Sequence, residues 1–400
     1  MTGLVGGAIA GLVLAWSDAA LAIRVADVVQ PFGRLWLSAL QMTVVPLVLA
    51  LVIVGVNAAS DAAHSGRVAR RAITIFLVLL SAGSAAAAIL SPLALSVLTP
   101  DPAVAAALRG SSADLPATGG WADVLAAIIP SNAIAAAAQS AMLPVVVFAL
   151  FFGFALTRID AVGRAQVVSF FKAIADAMIV IVRWVLWVAP AGVFALTLSL
   201  TARAGLGVLR ALGIYILLEC ALYLVATVLL VAVAVLVARQ RLSKFLAGLA
   251  PVQAVAASTQ SSLASLPAML ESSERQLGFP QHISSLVLPM AVSLFRITSP
   301  IQYLATATFV AWALGVNLSV GHLAAGAALA VVVSLGSVGL PGQAIFVATN
   351  LPVAQAMGVP VAPLAVLMAV DAIPDVLATV GNVTGDMTAN ALVVSAHERG

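Results

Sequence analysis

Long apolar runs separated by short polar stretches set the rhythm of this chain. Residues 72–96, 143–156 with their flanks, and 212–238 are runs of Ala, Leu and Val with few polar positions. A helix needs about 20 such residues to cross the hydrocarbon of a bilayer. Only helices and closed barrels satisfy their backbone in lipid, and the two-residue alternation of barrel strands is absent, so the runs predict helices. The first apolar stretch, residues 3–16, is short and lacks a basic leading segment. It reads as a first transmembrane helix rather than a cleaved leader.

Six spans account for the chain to about residue 238. Beyond Lys244 the pattern changes, because two apolar stretches are broken by small polar residues at 258–267 and 334–341. The two interruptions resemble each other: Ser262-Leu263-Ala264-Ser265-Leu266-Pro267 against Ser334-Leu335-Gly336-Ser337-Val338-Gly339-Leu340-Pro341. Paired interruptions in two halves of a membrane protein point to a transporter binding site, since freed backbone groups must line a cavity. They predict two re-entrant hairpins; the competing reading is a pair of ordinary kinked helices.

Composition agrees and excludes other classes. Of 400 residues, 63% are hydrophobic and only 8% charged, with a mean hydropathy of +1.16. A soluble fold could not cover its surface with so few charges. A net charge of +3 is too small to imply a nucleic-acid partner. The single cysteine, Cys220, excludes a disulfide within the chain. His64, His282, His322 and His397 are scattered, and no phosphate-binding glycine loop occurs, so nothing points to an enzyme. Basic residues follow the even-numbered spans, at Arg67, Arg70, Arg71, Arg158, Arg164, Arg239, Arg241 and Lys244, which places those loops in the cytoplasm and residues 96–121 outside.

Ionisable residues inside the membrane cost about 2.5–3.5 kcal/mol each on insertion scales, so each requires a reason. Asp371, Asp375, Thr379, Asn382 and Asp386 recur at spacings of four, four, three and four, which predicts one helical stripe. Three carboxylates on one stripe need a cation, a proton, a substrate ammonium or an arginine. Pro374 should loosen the helix there. Arg296, flanked by apolar residues, is the candidate partner, and Ser293, Thr298, Ser299 and Pro300 predict a broken helix around it. A purely structural ion pair is the competing reading. Glu219, in the sixth run, reads either as a proton site or as a scaffold hydrogen bond.

On these residues the chain resembles the dicarboxylate/amino acid:cation symporter family, which includes the glutamate transporters. The resemblance runs from Gln30-Pro31-Phe32-Gly33 and residues 42–46, through Pro130-Ser131-Asn132 and Met142-Leu143-Pro144, to both interruptions. Its most specific part is Asp371-Ala372-Ile373-Pro374-Asp375 followed by Gly381-Asn382-Val383-Thr384-Gly385-Asp386. The resemblance implies an all-α integral membrane fold of eight transmembrane helices plus two re-entrant hairpins, at about 243–275 and 320–356. It implies a homotrimeric elevator in the lipid bilayer of a prokaryotic inner membrane. Residues 1–68 and 122–204 would form the scaffold, and 69–97 and 205–400 the transport domain. The second hairpin would be the extracellular gate.

By the same resemblance, Asp375 would bind a substrate amino group, Thr379 and Asn382 would hold the substrate, and Ser261 and Ser262 would face its carboxylate. Ser337, Gly339, Ala378 and Arg296 complete the expected substrate set. Arg296, Thr298, Ser299, Asp371, Asn382 and Asp386 make a cation or tethered-cation site, with residual sodium at Asn382 and Asp386. Two departures alter that chemistry. The family's Asn-Met-Asp-Gly-Thr is here Phe295-Arg296-Ile297-Thr298-Ser299, so both sodium-coordinating side chains are lost and an arginine stands between them. The arginine that grips an acidic substrate is replaced by Ala378, with Gln260 in the first hairpin.

The expectation is a secondary active symporter for a small amino acid or dicarboxylate. It has no cofactor beyond sodium or a proton as coupling ion, and its sodium coupling is reduced or absent. A proton-coupled or uncoupled dicarboxylate carrier is the alternative. An anion channel, for which an arginine in a broken helix would suit anions, ranks behind it.

Overall fold

The computed structural model describes residues 2–64, 66–99, 104, 105, 108, 129–139, 141–204, 207–336 and 342–398. Most of the expected external loop at 96–121, and Ser337, Gly339 and Pro341 of the second interruption, lie outside the described residues. Among the described residues the regular structure is helical throughout. The chain runs through α1 (Thr2–Ser17), α2 (Ala19–Gln41), α3 (Val44–His64), α4 (Arg67–Ser96), the short α5 (Ala133–Ala138), α6 (Met142–Leu156), α7 (Ala161–Trp187) and α8 (Ala189–Ala204). It continues through α9 (Gly207–Leu236), α10 (Leu242–Thr259), α11 (Ser262–Arg275), α12 (Gln281–Leu294) and α13 (Thr298–Leu314). The last helices are α14 (Val320–Gly336), α15 (Gly342–Ala356), the single-turn α16 (Leu364–Met368) and α17 (Pro374–Glu398).

By length and composition alone, Val44–Asp61, Arg67–Ser96, Ala161–Val185, Gly207–Leu236 and Gln281–Leu314 are long and apolar enough to cross a membrane. Val5–Ser17, Pro144–Leu156 and Val320–Leu335 are apolar but shorter. The last of the long segments contains the expected break: α12 ends at Leu294, and Phe295 adopts an extended φ of −120° and ψ of 89°.

Glycine sets the closest helix approach. A Cβ at Gly3, Gly7 or Gly11 would lie 2.1 Å, 2.6 Å or 2.7 Å from carbonyl oxygens of α8, or for Gly11 still nearer the Thr201 hydroxyl. This four-residue spacing of small residues lets α1 and α8 touch backbone to backbone, as small-residue stripes do in membranes. Elsewhere α3 packs on α6 and α7, while α9, α12 and α10 pack on α17. α10 and α11 form a helical pair around Gln260 and Ser261, and α14 packs on α15. The Ser261 hydroxyl caps α11 by accepting from the Ala264 amide at 3.2 Å, while Gln260 closes α10 in the left-handed region at φ 51°.

Among the described residues the apolar side chains gather in two large cores and a small third cluster of Ala22, Ala26 and Ala202. One large core joins Phe76, Phe245, Phe295, Ile297 and Met387. The other runs from α3 and α6 through Tyr215, Tyr303 and Phe309 to residues 364–370. The polar site lies where residues of both cores approach α17.

Candidate functional site

Two interruptions meet at α17. The first is Phe295-Arg296-Ile297. It is anchored by Phe295 stacked on Phe76 at 5.0 Å between ring centroids, and by buried Ile297. Close approach to α17 depends on Gly385 and Gly381. A Cβ at 385 would fall 2.9 Å from Ile297 Cγ2 and 3.1 Å from Phe295 Cε1, and one at 381 would fall 2.8 Å from Thr298 Cγ2. With the backbone that near, the Thr298 amide donates to Asn382 Oδ1 at 3.0 Å and the Thr298 hydroxyl to the Ala378 carbonyl at 3.3 Å. These bonds satisfy part of the backbone that the break leaves open.

The second of these breaks, at 369–373 and distinct from the Ser- and Pro-rich interruption at 334–341, corrects the single helical stripe expected from the spacing. Pro374 does not sit inside a helix; it is the first residue of α17, the position where its missing N–H costs nothing. Asp371 lies upstream, in tight turns whose amides bond three residues back: Ala369 to Val366, Val370 to Leu367 and Asp371 to Met368. Asp375, Thr379, Asn382 and Asp386 remain on α17. Asp375 falls in its first turn, where a carboxylate suits the helix dipole.

Arg296 acts electrostatically on Asp371, Asp375 and Asp386 together. Asp371 is fully buried; its Oδ1 accepts from Gln302 Nε2 at 2.6 Å, while Oδ2 has no hydrogen-bond partner among the described residues. Asp386 is fully buried, and among the described residues neither of its oxygens nor Asn382 Nδ2 has a hydrogen-bond partner. Next to Asp386 in the chain, Gly385 faces the apolar side chains of Phe295 and Ile297. The Arg296 guanidinium brings positive charge to all three acids.

A small cavity of about 10 Å³ is lined by Arg296, Thr298, Ser299, Asp375 and Ala378 from these elements, with Tyr223, Gln302, Tyr303 and Thr349. It thus unites five of the residues expected from sequence. Thr379 and Asn382 are buried beside it; the Thr379 hydroxyl donates to the Asp375 carbonyl at 2.8 Å. Ser261 and Ser262 are not among its lining residues, although Gln260 Nε2 donates to the Ala372 carbonyl at 3.2 Å and brings the α10–α11 tip against the second interruption. Ser337 and Gly339 fall outside the described residues. Sequence reasoning missed Gln302, Tyr303, Tyr223 and Thr349. Gln302 was detectable as an amide in an apolar run, and Tyr223 as the residue one helical turn after Glu219.

The comparisons with known proteins now decide the family. The model of the sodium:dicarboxylate symporter family matches residues 1–396. The chain belongs to that family. It is 29% identical over 383 residues to the proton/glutamate-aspartate symporter of Escherichia coli, covering 92% of this chain and 84% of that one. It is 28% identical over 379 residues to the proton/sodium-glutamate symport protein of Bacillus subtilis, covering 92% and 86%. With the neutral amino acid transporter B(0) of Oryctolagus cuniculus it shares 30% over 429 residues, covering 96% and 76%. This family member is a multi-pass cell-membrane transporter that binds small molecules, and not an enzyme.

Proposed function

We propose that this protein is a secondary active carrier for a small amino acid, working as an elevator with reduced or absent sodium coupling. The observation that carries the reading is the meeting of Arg296 and Asp375 on one cavity. A zwitterion presents one carboxylate and one ammonium, and this cavity offers a guanidinium and a carboxylate to them. Ala378 on the same wall leaves the side-chain end without the arginine expected of acidic-substrate carriers, so either the substrate is neutral or Arg296 grips its second carboxylate. The names of the relatives span both kinds, glutamate-aspartate and neutral amino acids.

Arg296 serves in this reading as a tethered cation. Its fixed charge stands within reach of Asp371, Asp375 and Asp386, which removes the need for at least one sodium ion. Residual sodium, if bound, would sit at Asn382 and Asp386. The elevator assigns residues 1–68 and 122–204 to a trimeric scaffold, and 69–97 and 205–400 to the moving domain. The pairs α10–α11 and α14–α15 are its re-entrant hairpins. A cavity near one water in size cannot hold an amino acid, so loading requires its walls to part. Thr349, on α15, is the wall residue that the second hairpin would carry away.

The test is counterflow in proteoliposomes with labelled L-serine, L-aspartate, L-glutamate and succinate. Saturable exchange of an amino acid is expected. Exchange of succinate alone would replace this reading with a dicarboxylate carrier, and large ohmic current without exchange would replace it with a channel.

A further inference from the structure

Behind the cavity stands a carboxyl group that the substrate reading does not use. Glu219, near the middle of α9, is fully buried, as are its neighbours Tyr215, Tyr223 and Thr306. Its Oε2 accepts from the Tyr223 hydroxyl and its Oε1 from the Thr306 hydroxyl, each at 3.0 Å. The Tyr215 hydroxyl is 3.2 Å from Thr306 Oγ1. Among the described residues Glu219 takes part in no ion pair. The charged groups acting on or near it are themselves acids: Asp375 acts on Glu219, and Glu219 acts on Asp371. Cys220 adjoins it on α9, and Tyr303 lies on the packed face of α13.

Three features separate this from a structural ion pair. First, every direct partner is a hydroxyl, and a hydroxyl serves both forms of a carboxyl, donating to the anion and accepting from the acid. Second, the local charge count calls for protons. Arg296 acts on Asp371, Asp375 and Asp386, while the charged group acting on Glu219 is the acid Asp375, and a buried acid without a cation is costly to keep ionised. Third, a route to the substrate exists. Tyr223 touches Glu219 and also lines the cavity. One turn from Thr306 on α13, Gln302 lines the same cavity and bonds Asp371.

We infer that Glu219 is a reversible proton-binding site, loaded and emptied through the Tyr223 hydroxyl from the substrate cavity. In loading, an excess proton from the medium reaches the cavity as hydronium and passes to the Tyr223 oxygen as that hydroxyl's own proton passes to Glu219 Oε2, leaving neutral water behind. Tyr223 is left unchanged, and the negative charge of the acid cluster falls by one. Emptying is the reverse. The inference rests on the carrier reading above and adds the coupling proton to it.

Infrared spectroscopy of the full chain in lipid nanodiscs, titrated from acid to alkaline buffer, tests the site without transport. The wild type should show a buried carboxylic-acid C=O band that titrates, and Glu219→Gln should lack it. A wild type without that band, or a variant that keeps it, overturns the inference. Proteoliposome uptake of L-serine, L-aspartate and L-glutamate under an acid-outside gradient tests the coupling. The wild type should be accelerated; Glu219→Gln should lose the acceleration while retaining counterflow. A variant that keeps the full gradient response overturns the inference. Failure of the carrier reading is distinguishable, because then the wild type exchanges none of the probes whatever the infrared band does.

Discussion

The two helix interruptions carry opposite charge on similar architecture. At Phe295–Ile297 the chain leaves one helix and starts another around a cation, held by hydrocarbon: Phe295 stacked on Phe76, and Ile297 against Gly385. At 369–373 it does the same around an acid, held by tight turns and Pro374. Arg296 stands just beyond the C-terminus of α12, the end whose dipole favours a cation, and Asp375 stands in the first turn of α17, where it favours an anion. A membrane protein can thus present paired charges inside its helix packing by breaking two helices and letting each broken end stabilise its own sign. On the cation side, apolar packing fixes the break, and the charge arrives attached to the chain.

Removing the cation breaks the comparison most severely. Arg296→Met should lower stability by about 3–5 kcal/mol, because it strands buried carboxylates, as read by chemical denaturation in detergent. Adding Asp386→Asn should recover part of that loss, with a coupling of about 0.5–3 kcal/mol if the two charges interact directly. Strict additivity would assign Arg296 to Asp371 or Asp375 instead.

Neutralising the acidic side should act on ligands more than on the fold. Asp375→Asn should weaken an amino-bearing ligand by about 2–5 kcal/mol, the range for truncating one member of a buried charged pair; calorimetric titration would read it. Unchanged affinity would remove Asp375 from the site.

A smaller effect sharpens the packing half of the contrast. Gly385→Ala would push a methyl into Ile297 and Phe295 and should cost about 1–3 kcal/mol through overpacking, measured as a shift in thermal midpoint. A neutral outcome would mean that the first interruption moves freely against α17.

Much of this architecture was legible before any coordinates. The break at Arg296 followed from a charge in an apolar run beside Ser, Thr and Pro, and α10–α11 and α14–α15 occupy the two segments marked by their repeated Ser and Pro pattern. The stripe on the last helix was legible only from Asp375 onward. Spacing cannot distinguish a helix interior from a tight turn feeding a first-turn proline, so Asp371 was placed on the wrong element. The Glu219 cluster was half legible. The four-residue offset to Tyr223 lies in the sequence, but Thr306 and Asp371 join it from elements far along the chain, and only packing brings them together. The cavity's apolar neighbours are another such case, since nothing in Phe295 or Ile297 alone announces that they face the glycines of α17.

The account turns on Arg296 replacing a mobile cation, and sodium titration of uptake tests that most directly. Proteoliposomes carrying the wild type should take up L-serine, L-aspartate or L-glutamate at nearly the same initial rate when sodium is replaced by choline on both sides. Uptake that vanishes without sodium and rises steeply and cooperatively as sodium is restored would contradict it.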